Sequence, residues 1–153
     1  MDFGGRYLFA TPRAALWSAL NDTAVLGACI PGCRRIEWVG PDVLELDVQV
    51  DLGPVHPTFR GDLTLSNVSP AQSYTLTGRG RGGLLGLAEA SADIALEDAP
   101  GGTILTFSAR GGASGRIMKL GRALIGDRAQ AIIDGFFTHA GAVMAVDVTP
   151  LPG

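Results

Sequence analysis

The chain has 153 residues, 46% of them apolar and 18% charged, with a formal net charge of −3 from 12 basic and 15 acidic side chains. Those proportions describe one packed globular domain and exclude a disordered chain. The charge balance carries no nucleic-acid signature, and no run of the sequence approaches the ~20 apolar residues of a membrane span. The opening MDFGGRYLFATPR lacks the basic start and long apolar stretch of a signal peptide, so a cytoplasmic protein is expected.

In chain order, Phe3, Gly5, Tyr7 and Phe9 alternate with Asp2, Gly4, Arg6 and Leu8, which predicts an opening strand. Thr11-Pro12 then starts a helix, Thr11 as its cap and Pro12 at its first position. Asn21-Asp22-Thr23 restarts a short second helix that Ile30-Pro31-Gly32 ends. From Arg34 onwards the period is two. LELDVQV places Leu44, Leu46, Val48 and Val50 on one face, and FRGDLTL does the same with Phe59, Gly61, Leu63 and Leu65. YTLTGRG sets Tyr74, Leu76, Gly78 and Gly80 against Thr75, Thr77, Arg79 and Arg81. Turn residues separate these runs at Gly40-Pro41-Asp42, Gly53-Pro54, Ser69-Pro70 and Pro100-Gly101-Gly102. Each run reads as a half-buried antiparallel strand.

Gly78-Arg79-Gly80-Arg81-Gly82-Gly83 spells the G-x-G-x-x-G of a dinucleotide site, which has meaning only where a helix follows. Here the alternation resumes through Gly86, Ala88, Ala90, Ala92, Ile94 and Leu96. A strand follows the glycines, so no helix end is there to hold a pyrophosphate. The last strand runs from Thr103 to Ala109. A long amphipathic helix is expected from near Gly115 to about Val146, with Ile117, Leu120, Leu124, Ile132, Phe136 and Val143 on its apolar stripe. The prediction is therefore an α+β helix-grip domain over residues 1–146: about seven antiparallel strands curved around a long C-terminal helix, with two short helices after the first strand. Residues 147–153 are expected to be a short flexible tail.

The inward face is short of bulk. Gly61, Gly78, Gly80, Gly86, Ala88, Ala90 and Ala92 all fall on it. They either let the helix approach and the sheet bend, or leave a cavity for a ligand; interiors normally pack without voids. The polar groups assigned to that face are the hydroxyls of Tyr7 and Tyr74 and the indole of Trp38. His56 falls in antiphase and faces out near a turn, and His139 on the helix reads as satisfied or solvent-facing. No carboxylate pair projects inward and no cluster has metal-ligand spacing, so no catalytic, metal or cofactor residues are assigned. Cys29 and Cys33 make a poor zinc site and read as small thiols beside a turn, with a redox pair as the alternative.

Several of these segments resemble one family. LWSALND, VLGACIPGC, GPVHPTFRGDLTL, YTLTGRGRGGLLGLAEASADIAL, GGTILTF and the later LGRALI…FF are similar, in that order, to members of the carbon monoxide dehydrogenase G-subunit family. That family belongs to the START/Bet v1-like helix-grip superfamily, and the likeness runs from residue 1 to about 145. The resemblance implies an apolar cavity between sheet and helix. It also implies an accessory, non-catalytic role beside a molybdenum hydroxylase of the carbon monoxide dehydrogenase type, recruitment to the cytoplasmic membrane, and a lipophilic partner such as a quinone. Many members continue past the long helix into an apolar segment suited to membrane attachment, which the sequence to Gly153 does not include.

Two further functional classes stand beside the lipophile-binding one. In the ligand-binding reading, Tyr7, Phe9, Trp38, Leu46, Val48 and Phe59 line the cavity. So do Leu63, Tyr74, Leu76, Ala88, Phe107 and Phe136, with the two tyrosine hydroxyls orienting a ligand carbonyl. In the interaction reading the cavity is incidental. A basic stretch that includes Arg116, Lys119 and Arg122 then meets an acidic partner or anionic headgroups at the inner face of the cell membrane. An enzyme of the polyketide cyclase kind would need an inward acid, base or arginine, for which Arg110 is the nearest candidate.

Overall fold

The structure, a computed structural model, describes residues 1–152. Strand β1 (Asp2–Phe9) leads into helices α1 (Arg13–Leu20) and α2 (Thr23–Cys29). Six strands follow: β2 (Cys33–Trp38), β3 (Val43–Gln49), β4 (Thr58–Ser69), β5 (Ser73–Arg81), β6 (Leu87–Ala99) and β7 (Gly102–Ser114). A long helix α3 (Arg122–Met144) and a short strand β8 (Val148–Leu151) complete the chain. The sheet is antiparallel in the order β2-β3-β4-β5-β6-β7-β1-β8. The α+β helix-grip architecture expected from the alternation is the one observed.

The first turn of α2 is capped by its sequence: the Asp22 carboxylate accepts from the Ala24 N–H at 2.9 Å. At α1 the expected Thr11 cap is not used. Pro12, extended, takes the N-cap position, and the Thr11 carbonyl instead accepts the hydroxyl of the fully buried Thr103 at 2.8 Å. That bond ties the chain leaving β1 to the start of β7.

Three expectations need correction. The last internal strand does not stop at Ala109 but continues through Gly111 and Gly112 to Ser114, paired with β6 along its whole length. The long helix starts at Arg122 rather than near Gly115. Gly115 and Gly121 both have φ +91, a left-handed conformation that interrupts an α-helix, and a separate 3-10 turn (Arg116–Leu120) lies between them. The 23 residues of α3 span about 34 Å at ~1.5 Å each. Finally, Val148–Leu151 is a strand rather than a loose tail. It pairs with β1 from Phe9 to Arg6, and so covers an edge that would otherwise be exposed.

Two apolar clusters fill the space between sheet and helices. The larger joins Phe9, Leu16, Cys29, Tyr74, Leu105 and Phe137, among others, under α1, α2 and the C-terminal half of α3. The smaller joins Leu52, Phe59, Ile117 and Ile125 at the opposite end of the strands.

Candidate functional site

Strand register explains why the two clusters differ. Read across the sheet, inward-facing residues form rows. One row runs Leu46, Gly61, Gly80, Ala88, Ala113, and the next Leu44, Leu63, Gly78, Ala90, Gly111. The third is Leu65, Leu76, Ala92, Ala109, Phe3. Beyond it lie Tyr74, Ile94 and Phe107, then Leu96, Leu105 and Tyr7. Side-chain bulk therefore falls along the central strands β5, β6 and β7 from an aromatic end to a glycine end. In the first two rows the central strands β5, β6 and β7 carry nothing larger than a methyl group.

Over those rows lies a cavity of about 310 Å³, roofed by Ile117 of the 3-10 turn and by Ile125 and Ala129 of α3. It is about twice the ~150 Å³ apolar cavity known to stay dry and take up benzene, and falls at the lower end of typical ligand pockets at roughly 300–1,000 Å³. The inward-facing side chains on its wall are apolar. Asp62, Arg79 and Glu89 border it from positions whose side chains alternate outward; Arg79 and Glu89 meet on the far side of the sheet, Nε to Oε1 at 3.6 Å. Arg110 also points away, between the inward Ala109 and Gly111, and lies opposite Asp2 and Ser91. The wall can thus hold an apolar body by shape and dispersion, and it presents no positioned acid or base. Among the described residues no group of His, Cys, Asp or Glu has the arrangement of a metal site.

Of the twelve residues assigned to the cavity from sequence, the structure brings five together on it: Leu46, Val48, Phe59, Leu63 and Ala88. Tyr7, Phe9, Tyr74, Leu76, Phe107 and Phe136 lie instead in the packed cluster at the aromatic end. Tyr7 stacks on Phe137 with ring centroids 3.8 Å apart, and Tyr74 meets Trp17 edge-on at 5.3 Å. Burial pushes the Tyr74 phenol up to about 12. It also raises Tyr7, where the nearby Asp134 carboxylate adds to the effect. These hydroxyls do not reach the cavity. Trp38 sits on the outer strand, 36% exposed, and its indole N–H donates to the Asn21 carbonyl at 3.3 Å.

The sequence reading missed Met1, Phe3, Gly111, Ala113, Ile117 and Ile125. A signal was there for β7, where Ala109, Gly111 and Ala113 continue the period of two. The cysteines are both free, and burial raises both thiols, which suppresses the reactive thiolate. His56 lies exposed beside Asp51, Nδ1 to Oδ1 at 3.5 Å. His139 places Nδ1 3.3 Å from the Cys29 carbonyl oxygen. Arg116, Lys119 and Arg122 are exposed at the cavity end, on the turn that carries Ile117 and the first residue of α3.

Comparison with solved structures places the chain in the same fold class. A conserved protein of Geobacillus kaustophilus superposes with a TM-score of 0.83 at 24% identity, covering 97% of this chain and 99% of that one. A protein of Chromobacterium violaceum gives 0.74 at 12% identity, covering 95% and 98%. The Bet v1-like protein Ara h 8.0201 gives 0.68 at 22%, again covering 95% and 98%. At these identities the likeness concerns the fold alone. No curated protein sequence matches. Residues 5–143 match the model of the family described as the carbon monoxide dehydrogenase G subunit (CoxG). With nine-tenths of its length so matched, the chain belongs to the CoxG family, the G subunits of carbon monoxide dehydrogenase.

Proposed function

We propose that this protein is a non-catalytic accessory protein that binds a lipophilic molecule, a quinone or a lipid, and assists a molybdenum hydroxylase of the carbon monoxide dehydrogenase type. The observation that carries the ligand-binding part is the pair of register rows in which Gly78, Gly80, Gly111, Ala88, Ala90 and Ala113 border a 310 Å³ apolar space. Empty apolar volume costs stability in proportion to its size, so its retention favours a resident ligand. Family membership supports the accessory role and the class of enzyme served. Among the described residues the cavity wall carries no inward-pointing ionisable side chain, which supports a binding rather than a chemical role.

The test is extraction of the purified protein with organic solvent, followed by mass spectrometry against a mock preparation. A lipophile at near one-to-one stoichiometry is expected from the natural sequence. It should be lost in Ala90→Phe, whose ring would occupy the space between Gly78 and Gly111. A clean extract from the natural sequence, together with no uptake of an added short-chain quinone, would refute the ligand-binding reading.

A further inference from the structure

We infer that the protein pairs with a second copy of itself along the free edge of β2, the two strands running antiparallel about a two-fold axis at Ile36. The inference goes beyond the proposed function and needs no ligand, because it follows from the two edges of the sheet. The order β2-β3-β4-β5-β6-β7-β1-β8 leaves one side of β8 and one side of β2 without a strand partner. Such an edge is a template for another strand unless something blunts it. At β8 the Ala10 N–H donates to the Asp147 carbonyl at 2.9 Å, so Thr149 and Leu151 direct their backbone groups at β1 and Pro150 directs its own outward. The outer side of β8 therefore lacks a donor where a pairing strand would need one.

Strand β2 carries no proline. The Val39 N–H donates to the Val43 carbonyl at 3.0 Å, which sets the alternation along β2. Arg35 and Glu37 bond toward β3, while the N–H and C=O of Ile36 and Trp38 point away from the sheet. Apolar surface adjoins these free groups, with Trp38 36% and Val39 52% exposed. Charge then decides the register. Arg35 and Glu37 share the outer face, and inside the chain Glu37 stands opposite Glu45, a like-charge pair that the Arg35 guanidinium bridges, 2.7 Å from Glu45. A two-fold axis at Arg35 or at Glu37 would set like charges against each other. An axis at Ile36 sets each Arg35 opposite the second copy's Glu37, and lets the two Ile36 residues exchange both of their outward hydrogen bonds. The bulge between Cys33 and Arg35 keeps the new ladder short, with Arg34 at its end opposite the second copy's Trp38. The contact is isologous, so it closes at two copies and does not grow into a fibre. One short strand and its flanking side chains belong to the weak class of interfaces, below about 1,200 Å².

The experiment is sedimentation equilibrium of the full chain between about 1 µM and about 1 mM, the span of weak association. The mass is expected to rise from one copy towards two. Glu37→Arg gains Glu45 as a partner within its own chain and so keeps the fold, but faces the second copy's Arg35; it should weaken association about tenfold or more. Arg35→Glu/Glu37→Arg restores opposite charges across the axis and should recover association. Thr149→Arg, on the opposite edge, should associate as the natural chain does. A natural chain that stays at one copy throughout overturns the proposal, as does equal association by Glu37→Arg. A double variant that is folded by circular dichroism yet stays at one copy overturns the register, and with it the proposal. Association lost in Thr149→Arg but kept in Glu37→Arg overturns it as well, and moves the contact to β8.

Discussion

The aromatic and glycine ends of this sheet are built from the same three central strands. Strand β5 gives Tyr74 and Leu76 to one end and Gly78 and Gly80 to the other; β6 gives Ile94 and Leu96 against Ala88 and Ala90. In β7 the pairs are Leu105 and Phe107 against Gly111 and Ala113. At the aromatic end α1 and α2 close over the sheet, and Phe9 and Leu16 are wholly inaccessible to solvent. At the glycine end Met1, Leu52, the 3-10 turn and the first turns of α3 come near, and they leave a cavity. The β5–β6 and β6–β7 ladders run unbroken through both ends, and the β4–β5 ladder is interrupted only by a bulge between Ser66 and Ser69. What differs is how much apolar surface each row buries. One end therefore supplies the stability that allows the other to stay open.

The sharpest way to break that comparison is to truncate one phenylalanine at each end. Phe9→Ala empties a fully buried site among Phe137 and its neighbours and should cost about 3–5 kcal/mol. Phe59→Ala enlarges a cavity that already exists and should cost clearly less, because its ring already lacks partners on one side. Denaturant titration of the two variants measures both. Equal losses would mean that the ends do not divide the labour as described.

Alkali separates the ends next. Both tyrosines of the chain lie at the aromatic end. A phenol held at about 12 in the fold and near 10 in the unfolded chain keeps its proton longer in the native state. The unfolded state thus loses its proton first, and stability falls as pH rises. The contribution is fully present below pH 10 and is lost between there and about 12, a decline of about 3 kcal/mol for Tyr74. Tyr7, also raised, adds in the same direction. Tyr74→Phe should remove most of the slope when unfolding is followed from pH 9 to 12. A slope left unchanged would place Tyr74 in a wetter site than the one observed.

The fold could be read from the sequence because both of its signals are local. Period-two runs punctuated by Gly-Pro and Pro-Gly turns specify antiparallel strands, and the Ile-Leu-Phe stripe specifies the helix. Even the surplus of small inward residues was visible. What sequence could not supply was the register between strands. Tyr74 and Gly80 share one face of one strand, so the alternation assigns both to the same interior. Their six-residue separation, about 20 Å along a strand, sets them at opposite ends of β5, and the pairing of Tyr74 with Ile94, and of Gly80 with Gly61 and Ala88, carries that division across the sheet. The cavity residues inferred from sequence mixed the two for that reason. The helix boundary failed differently. The 3.6-residue stripe runs through Ile117 and Leu120 without interruption, and the left-handed backbone at Gly121 that breaks the helix leaves no mark in that pattern. The strand at Val148–Leu151 was obscured by Pro150, which is tolerated because β8 lies at the sheet edge.

The finest test compares two glycines that face one another across strands, Gly61 on β4 and Gly80 on β5. Neither needs a left-handed backbone, so both could hold alanine if space alone decided. A Cβ at Gly61 would run into the carbonyl oxygen of Arg79 on the neighbouring strand, and strand backbone cannot move aside without breaking its ladder. A Cβ at Gly80 would point into the cavity and rest on the Phe59 ring at 3.5 Å, an ordinary contact. Gly61→Ala should therefore destabilise by about 1–3 kcal/mol, the usual cost of forcing atoms into a filled space. Gly80→Ala should be neutral or stabilising by up to about 1 kcal/mol, since alanine also narrows the unfolded ensemble. Its effect should appear instead as weaker binding of the lipophile, because one methyl group enters the cavity. If both substitutions cost the same stability, Gly80 is held by backbone geometry rather than by the ligand. The small residues of the first row would then serve the bend of the sheet rather than the space beneath it.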